Sequence, residues 1–563
     1  MKHLTLFFWA LLIAVVMESL MAVPRYFDPE LPRSYSRDLL VGVCLLILVA
    51  RTRFARPVWV LAVTGWGLAL GFEWVRGVGT TAMSQQPLLY DAYFLVGHLY
   101  ILLRDLMGMK ALAIFAGVGV SLVLIVLLSA WMFRRVQVAA RDASVLGTVV
   151  ALCGLVAFGV TCEQVGEAKG RNSLMDLADN LDRSFSVSKT ISETLAPNAY
   201  ADIRKVDLER KPSVHIYIVE SYGRGMRRQA IRADYYALLK RLGARFKTAG
   251  WSMMTGLSEA PVMGGRSWLA DTTLLSGRTV KYESVYRHIT PKLKDLATLP
   301  GFFNDQGYQT VLMRPKDKAR AGVELVNHFG FDHTVFNLDL AYQGRPYGWV
   351  EIPDQYALGH IRDEVLPTLG DEPVFVFAHL GTSHIPWDEV PPIVDDWRSF
   401  NEYEGRIPRS NGRPLDEKNI RFQMKRYKRR DEVRLRRLKP TSNNVTDFFK
   451  SVSYSIEVVA QHVESLTDPP DMVIIMGDHQ PPMYKNNPDF TVPVHVLVRD
   501  HKLLREFRNR KFRRGMRLPK WKNRMYHEGF FSLMVRALAR AEGVEPPRYR
   551  KRGEPSKKVE KAK

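Results

Sequence analysis

Cysteine is scarce in this sequence, with only three in 563 residues. Cys44 and Cys153 lie inside apolar runs, and Cys162 lies at the end of one. Every residue after Cys162 is of another type, so the second part of the chain contains neither a disulfide framework nor a metal site built on thiolates.

Acidic residues are also few relative to basic ones, 58 against 80, which gives a net charge of +22. Such a balance predicts an anionic partner: lipid headgroups, a polyanionic glycan or nucleic acid. Nucleic acid is disfavoured because the N-terminal part is membrane-embedded and the basic runs lack regularly interleaved aromatic residues. The length exceeds that of one ordinary core, so we expect two or more structural units.

The first 162 residues carry long apolar runs. A membrane-spanning helix needs about 20 apolar residues, so the second and third runs are short and their ends are uncertain. A further stretch, Leu88–Met107, is broken by charged residues and is interpreted as an interfacial or re-entrant helix rather than a sixth span. The five predicted spans are Leu4–Val23, Leu39–Ala50, Val58–Phe72, Ala111–Phe133 and Val145–Thr161.

Basic loops predict the orientation of these spans. Arg51–Pro57 and Phe133–Asp142 carry the positive charge of the short loops, so both should be cytoplasmic. The first run lacks a clear cleavage site and is interpreted as a retained span. Five spans with a cytoplasmic N-terminus make 1–162 a transmembrane domain and place the remainder outside the cytoplasmic membrane.

The remainder alternates strand-like and helical segments. Residues 163–210 are predicted to form a juxtamembrane connector with helical character, and 211–545 a catalytic domain. Continuous apolar strands between helices predict a largely parallel central sheet covered by helices on both faces. The last segment, 546–563, lacks apolar content and is predicted to be a basic, disordered tail.

Two strongly basic inserts, Arg421–Pro440 and His501–Arg524, lie within the predicted catalytic domain. Two interpretations stay open for them: solvated charge runs, or contact with an anionic membrane face or acceptor.

Polar residues follow three of the predicted strands, at Glu220, at Thr382-Ser383-His384 and at Asp478-His479. Ligands of open α/β sheets bind at the carboxyl ends of strands. Glu220, Asp478 and His479 are ligand types that bind Mn, Zn or Mg. A structural hydrogen bond or a helix cap is the alternative for the Asp-His pair.

Ser267 is the candidate nucleophile. Gly264-Gly265 permit a tight turn, and Ser267 then begins a predicted helix, whose N-terminus favours a phosphoryl group. A metal bound to the hydroxyl would lower its pKa. The alternative is that Ser267 is only an N-cap. Thr272 and Thr273 are rival hydroxyls inside the predicted helix.

Together, the motifs "YIVESYG", "GGRSW…TTLLSG", "GTSHIPW" and "IIMGDHQPP" resemble the alkaline phosphatase superfamily. Within its sulfatase-like branch, the lipoteichoic acid synthase and phosphoglycerol transferase group is the most similar, and the resemblance covers most of Val214–Val498. It implies an alkaline phosphatase-like α/β domain after about five spans. It also implies one divalent metal ion held by Glu220, Ser267, Asp478 and His479.

The same resemblance assigns further roles. Ser267 matches the family's nucleophile, usually a threonine after Gly-Lys and here a serine after Gly-Arg. His384 matches the histidine beside the substrate phosphate. Arg314, Lys316 and Arg320 are candidates for phosphate contact, because Arg314 stands where the family has a histidine. Trp387 is a candidate wall of the headgroup pocket, with core packing as its alternative.

The resemblance implies a membrane-bound transferase. It would move phosphoglycerol from an anionic phospholipid, phosphatidylglycerol, to a glycan or polymer hydroxyl of the cell envelope through a phosphoseryl intermediate. Phosphodiesterase or sulfatase-like hydrolysis and phosphoethanolamine transfer are the alternatives. No Cys/Ser-x-Pro-x-Arg signature surrounds Ser267, and phosphoethanolamine transferases usually carry disulfides in the outer domain, which this chain lacks. A non-catalytic scaffold should lack a ligand or the nucleophile, yet all four positions are filled.

Overall fold

The computed structural model divides into two compact units, Met1–Val187 and Ser188–Lys563. The division falls within the predicted connector. The candidate residue Arg320, most of Leu88–Met107 and the basic insert Arg421–Pro440 lie outside the described residues. The structure describes the chain except for residues 1, 27–33, 84–85, 93–109, 165–168, 196–198, 319–324, 348–349, 386, 388, 403–441, 485–488, 521–522 and 555–563.

The first unit is helical. Four of its described helices are long and apolar enough to cross a membrane, over Thr5–Pro24, Ala55–Gly77, Phe115–Asp142 and Val145–Gln164. The chain is thus built as a multi-pass membrane protein. The described helices of this part are α1 (Lys2–Tyr26), α2 (Arg37–Leu48), α3 (Ala55–Met83), α4 (Lys110–Asp142), α5 (Val145–Gln164) and α6 (Ser173–Thr194), with short strands β1 (Ser34–Ser36) and β2 (Lys169–Arg171).

Helix α2 corresponds to the remaining predicted span, although its 12 residues extend only about 18 Å. The residues that flank α2 make contacts towards opposite ends of α5: one with the last turn of α5, the other with the end of α4, which a short turn joins to the start of α5. Before α2, Tyr35 donates a hydrogen bond to Glu163 (2.7 Å), and β1 pairs in parallel with β2. After α2, Arg51 donates to the Arg141 carbonyl (3.1 Å). Helix α2 therefore runs between the same two ends as α5, in agreement with about five spans.

These contacts also bring the two basic segments to one end of the unit. Phe133–Asp142, predicted as a loop, is instead helical and forms the C-terminal part of α4. Arg141 donates from Nε to the Ala50 carbonyl (2.7 Å), and Gln137 donates to the Ala55 carbonyl (2.6 Å). Such proximity is what the prediction of a shared, cytoplasmic side requires.

The second unit is built on a nine-stranded sheet, and the prediction of a largely parallel sheet is confirmed. Its order is β10-β4-β9-β8-β3-β7-β5-β6, with β11 beside β4; β9 and β10 run antiparallel to their neighbours. The strands are β3 (Val214–Val219), β4 (Ser252–Glu259), β5 (Gln309–Arg314), β6 (His333–Phe336), β7 (Val374–Leu380), β8 (Met472–Gly477), β9 (Thr491–Val498), β10 (Arg513–Arg514) and β11 (Met525–Tyr526).

The central strands are apolar throughout because helices cover both faces. All six residues of β3 and all six of β8 are buried. Tyr217 and Val219 of β3 belong to one hydrophobic cluster, whereas Val214, Ile216 and Ile218 belong to another. The covering helices include α7 (Arg232–Thr248), α8 (Ser267–Ser276), α9 (Glu283–Ile289), α10 (Leu299–Asp305), α11 (Asp354–His360), α12 (Ser442–Ser465), α13 (Arg505–Asn509) and α14 (Phe530–Glu542).

The first part of the predicted tail is held on this unit, unlike the expectation of disorder. Arg550 pairs with Asp202 (2.7 Å), and the amide of Glu554 donates to the Gly277 carbonyl (3.1 Å). Low apolar content did not prevent docking here, because ion pairs and backbone hydrogen bonds fix the segment.

The last residue of β8, Gly477, lies so close to a neighbouring backbone segment that there is no room for a side chain. A Cβ placed there would lie 1.8 Å from the Tyr222 carbonyl oxygen. We expect Gly477→Ala to lower the unfolding temperature, since overpacking of this kind costs roughly 1–3 kcal/mol. Gly243→Ala in α7 is the matched control, because its Cβ would meet Met516 at an ordinary 3.5 Å. Thermal unfolding of both full-length variants checks this; equal melting temperatures would contradict it.

Buried His462 predicts a pH dependence of stability. Among the described residues neither of its ring nitrogens has a hydrogen-bond partner, and burial lowers its pKa from 6.5 to about 3. The unfolded chain therefore binds an extra proton below pH 6.5, so stability is full above that pH and falls as pH drops towards 3. His462→Phe should flatten the fall in melting temperature between pH 6.5 and 4. An unchanged pH profile would count against a neutral, buried imidazole.

Candidate active site

Three neighbouring strands bring the predicted polar residues to one edge of the sheet. Val219 of β3 pairs with Gly477 of β8 on one side and with Leu380 of β7 on the other. Because all three strands are parallel and in this register, Glu220, Asp478 and the loop that begins at Gly381 leave the sheet at the same level. The predicted strand-end constellation is therefore assembled by strand pairing.

Glu220, Asp478 and His479 form a compact buried group. Each is about 1% exposed, and their ligand atoms lie within 4.8 Å of one another. His479 Nε2 lies 3.3 Å from Glu220 Oε1 and 3.2 Å from Asp478 Oδ2. The Ser267 hydroxyl donates to Glu220 Oε2 at 2.9 Å and lies 3.4 Å from His479 Nε2. The structure thus brings all four predicted metal ligands together.

These residues fit a divalent cation. Asp478 Oδ1 accepts hydrogen bonds from the amides of Ser221 (2.8 Å) and His479 (2.7 Å). Its other oxygen, Oδ2, is buried and has no hydrogen-bond partner among the described residues. A buried carboxylate oxygen left without a donor is costly, and a cation would satisfy it.

A left-handed turn places Ser267 at the start of α8. Gly264 (φ 74°), Gly265 (φ 132°) and Arg266 (φ 64°) all have positive φ, which is rare for a non-glycine residue such as Arg266. The Gly264 amide donates to the Gln480 carbonyl at 2.8 Å, which ties this turn to the segment after His479.

The hydrogen bonds of the hydroxyl groups distinguish Ser267 from the rival hydroxyls of Thr272 and Thr273. Arg266, not Ser267, occupies the N-cap position of α8, so the serine hydroxyl is used in the site instead of capping the helix. Thr272 and Thr273 donate to carbonyls of their own helix, at Trp268 (2.7 Å) and Leu269 (2.8 Å). Ser267 is therefore the hydroxyl that faces the metal-ligand group.

Sequence analysis missed His379 and Asp271. His379, in β7, is fully buried, with Nδ1 2.8 Å from Asp271 Oδ2 and Nε2 3.4 Å from Glu220 Oε2. Asp271 lies four residues after Ser267, on the same face of α8, and that spacing is the signal that would have found it. His379 lies inside an apolar strand, where one imidazole resembles a core residue.

Lys316 and Arg314 reach this group, although by other contacts than predicted. Lys316 Nζ donates to Glu220 Oε2 at 2.7 Å and lies 2.9 Å from His379 Nε2. Arg314 donates to Asp271 Oδ2 at 2.7 Å. Both were predicted as phosphate contacts, and both are anchored on carboxylates at the site. The phosphate role stays a prediction.

The charges explain the protonation of this cluster. Burial alone would raise the pKa of Glu220, but the Lys316 charge and the hydrogen bond from His379 hold it well below its ordinary value. Burial lowers the pKa of His379, whereas Asp271 raises it to about 10 against the opposing charge of Lys316. The 2.9 Å contact between Lys316 and His379 is a hydrogen bond only when one nitrogen lacks its proton.

His384 is half-buried, and its Nδ1 lies 2.5 Å from the Ile385 carbonyl. The preceding Ser383 donates to the Glu220 carbonyl at 2.6 Å, which fastens this loop to the site. Trp387 is 2% exposed, donates to the Ser383 carbonyl (2.7 Å) and packs on Phe448. These contacts of Trp387 are the ones expected if it packs in the core instead of lining a headgroup pocket. Substrate contact by His384 and Trp387 stays a prediction.

His527 also lies at this edge. It follows β11, which pairs in parallel with β4 through Tyr526 and Glu259. Its Nδ1 lies 2.8 Å from the Ser258 hydroxyl, and its Nε2 is buried without a hydrogen-bond partner in the described chain. By contrast, His495 is bonded to Tyr222 (2.8 Å) and Thr255 (2.9 Å), as expected of a structural residue.

Comparison with known families agrees with this geometry. Residues 269–536 match the family model described as Sulfatase. The chain contains a sulfatase-family domain. Together with the mostly parallel sheet, this match confirms the predicted alkaline phosphatase-like fold. The matched region includes Asp478 and His479, whereas Glu220 and Ser267 precede it.

Solved structures similar to this chain include two transferases of bacterial envelopes. The integral membrane lipooligosaccharide phosphoethanolamine transferase A of Neisseria meningitidis is 12% identical, with a TM-score of 0.42, 92% of this chain covered and 95% of that one. A lipoteichoic acid synthase of Listeria monocytogenes is 14% identical, with a TM-score of 0.35, 63% of this chain covered and 79% of that one. No curated protein matches the sequence.

Metal content tests the ligand assignment. Replacing Asp478 and His479 together with Asn and Ala should abolish stoichiometric binding of the divalent ion, because two of the buried donors are lost. Ser267→Ala should keep most of the metal, since the other three donors remain. His501→Ala, whose side chain is 76% exposed, serves as the control. Elemental analysis of the purified proteins measures this, and full metal content in the double variant would refute the site.

Proposed function

We propose that this protein transfers a phosphorylated headgroup, phosphoglycerol from phosphatidylglycerol, to a hydroxyl of a glycan or polymer outside the bacterial cytoplasmic membrane. The observation that carries the proposal is the Ser267 hydroxyl, which donates to Glu220 within a buried group that fits a divalent cation. A hydroxyl at the start of a helix, beside such a group, suits attack on a phosphoryl centre.

In the first step, the Ser267 oxygen attacks phosphorus and the bond to the diacylglycerol oxygen breaks. The serine proton is lost, the leaving diacylglycerol gains one, and a phosphoseryl diester forms. In the second step, an acceptor hydroxyl attacks phosphorus, gives up its proton and displaces Ser267, which regains its hydrogen. When bound, a divalent cation supplies neutralisation of phosphoryl charge and a lower pKa for the hydroxyl.

The chain's own residues hold the reacting groups. Glu220 accepts the hydrogen bond of Ser267 and so fixes the direction of its oxygen. Lys316 and Arg314 supply positive charge for the phosphoryl oxygens, and the planar guanidinium suits bidentate contact. His384 is proposed to hydrogen-bond a phosphate oxygen or to carry the proton to and from the alcohols.

The choice of headgroup rests on the resemblance of the motifs and on the lack of cysteine after Cys162. The proposed location outside the cytoplasmic membrane rests on the basic loops, which meet at one end of the first unit while Tyr35 and Glu163 meet at the other. A chain that makes five passes from a cytoplasmic N-terminus ends on the outer side.

Mass spectrometry tests this proposal. Full-length protein incubated with phosphatidylglycerol vesicles should gain a phosphoglycerol adduct on Ser267, and Ser267→Ala should gain none. Thr272→Ala is the matched control, because this nearby hydroxyl bonds its own helix, and it should form the adduct normally.

Three results would overturn parts of the proposal. A phosphoethanolamine adduct from mixed lipids would change the headgroup. Release of free glycerol phosphate in the presence of glycan acceptors, without a coupled product, would make the enzyme a hydrolase. Turnover by Ser267→Ala would remove the nucleophile assignment.

A further inference from the structure

Helix α6 has its polar side turned inward and an apolar side turned outward. Ser173, Asn180 and Ser184 are buried, although all three are polar. Leu174, Leu181 and Phe185 are 39%, 41% and 74% exposed. This is the reverse of a helix that packs on a water-soluble domain, where the apolar stripe faces the core.

The inward polar side is fully engaged within the first unit. Ser173 donates to Glu73 of α3 at 2.8 Å. Asn180 accepts from the Leu89 amide (2.9 Å) and donates to the Pro87 carbonyl (3.0 Å). These bonds fix the rotation of the helix about its axis, so its outward side is determined by polar contacts and not by burial of its apolar residues.

The outward side is a continuous stripe. At 100° per residue, Leu174, Ala178, Leu181 and Phe185 fall within an arc of about 60°. The stripe lies roughly a third of a turn from the buried polar side. Met175, 62% exposed, lies farther round the helix, between Asp182 and Asp179, and is not part of the stripe. Three large apolar side chains and Ala178 along one side of a helix make a patch that would be unfavourable in water.

The first residue of the stripe, Leu174, lies beside one of the candidate membrane spans. Leu174 Cδ1 lies 3.4 Å from the position that a Cβ would take on Gly65, inside the candidate span Ala55–Gly77. Apolar side chains of the span Phe115–Asp142 show similar exposure, for example Leu127 at 60%. The outward side of α6 therefore continues the apolar surface that the spans present.

We propose that residues 173–187 of α6 form an interfacial helix whose stripe, Leu174, Ala178, Leu181 and Phe185, is inserted among the lipids of the outer leaflet. A helix of this kind lies along the membrane surface with its apolar side at the boundary between headgroups and acyl chains. Asp179 and Asp182, both exposed, lie away from the centre of the stripe and mark the side that faces water. The assignment to the outer leaflet rests on the proposed orientation of the spans, whereas insertion of the stripe into a membrane does not depend on the reaction catalysed.

Spin labels on single cysteines test the insertion. The three native cysteines are replaced with serine, and cysteine is introduced as Leu181→Cys or Phe185→Cys on the stripe, with Asp179→Cys as the matched exposed control. Ala178→Cys is a second stripe position with a smaller change, in case a larger side chain is needed for folding. The labelled full-length protein is placed in phosphatidylglycerol/phosphatidylcholine vesicles, and collisions with oxygen and with a water-soluble nickel chelate are measured.

The expected result is a ratio of oxygen to nickel accessibility several-fold higher at the stripe positions than at Asp179→Cys, because oxygen concentrates in the acyl region. Nickel accessibility equal to that of the control would show that the stripe faces water and would overturn the proposal. Protection of the stripe labels from both reagents would overturn it too, since that pattern requires cover by protein: the second unit, residues 93–109 or another copy.

Discussion

A fully buried carboxylate has to be compensated, and the compensation of Glu220 determines the rest of the site. The Glu220 oxygens accept hydrogen bonds from Ser267 and Lys316, and the imidazole rings of His479 and His379 lie within 3.4 Å of these oxygens. Each of these partners comes from a different segment, and each is delivered by the sheet or by a turn fixed to it. The parallel register of β3 with β7 and β8 is therefore needed for the side-chain contacts of Glu220 as well as for the pairing of the strands.

The sequence alone was enough to predict the parallel sheet, the strand-end residues and the serine that faces them. Continuous apolar strands are a strong signal, and three of them ended in ligand-type residues. His379 was missed, and the contact of Lys316 with Glu220 was not predicted, because pairing between distant strands decides which residues of β7 and of the segment after β5 meet Glu220. A lone histidine in "VFVFAHL" looks like core until its neighbour strand is known.

In the membrane part, too, some features could be predicted from the sequence and others could not. Hydropathy and basic loops predicted the long spans and a common side for Arg51–Pro57 and Phe133–Asp142. The crossing by α2 could not be established from 12 apolar residues, since length alone is insufficient. Contacts of the residues that flank α2, Tyr35 with Glu163 and Arg51 with Arg141, agree with a fifth span beside the four candidate spans. Likewise, composition suggested a helix after the last span but not which of its sides is buried.

Gln480 has a consequence for how precisely the site is held. It directly follows His479, its carbonyl accepts from Gly264 (2.8 Å) and its side chain accepts from Gly225 (2.9 Å). The turn that carries Ser267 and the turn after Glu220 are therefore both fastened to the residue next to His479. Gln480 therefore couples the position of the Ser267 hydroxyl to that of the Glu220 carboxylate, because a shift of this one residue would disturb the hydrogen bonds of both turns.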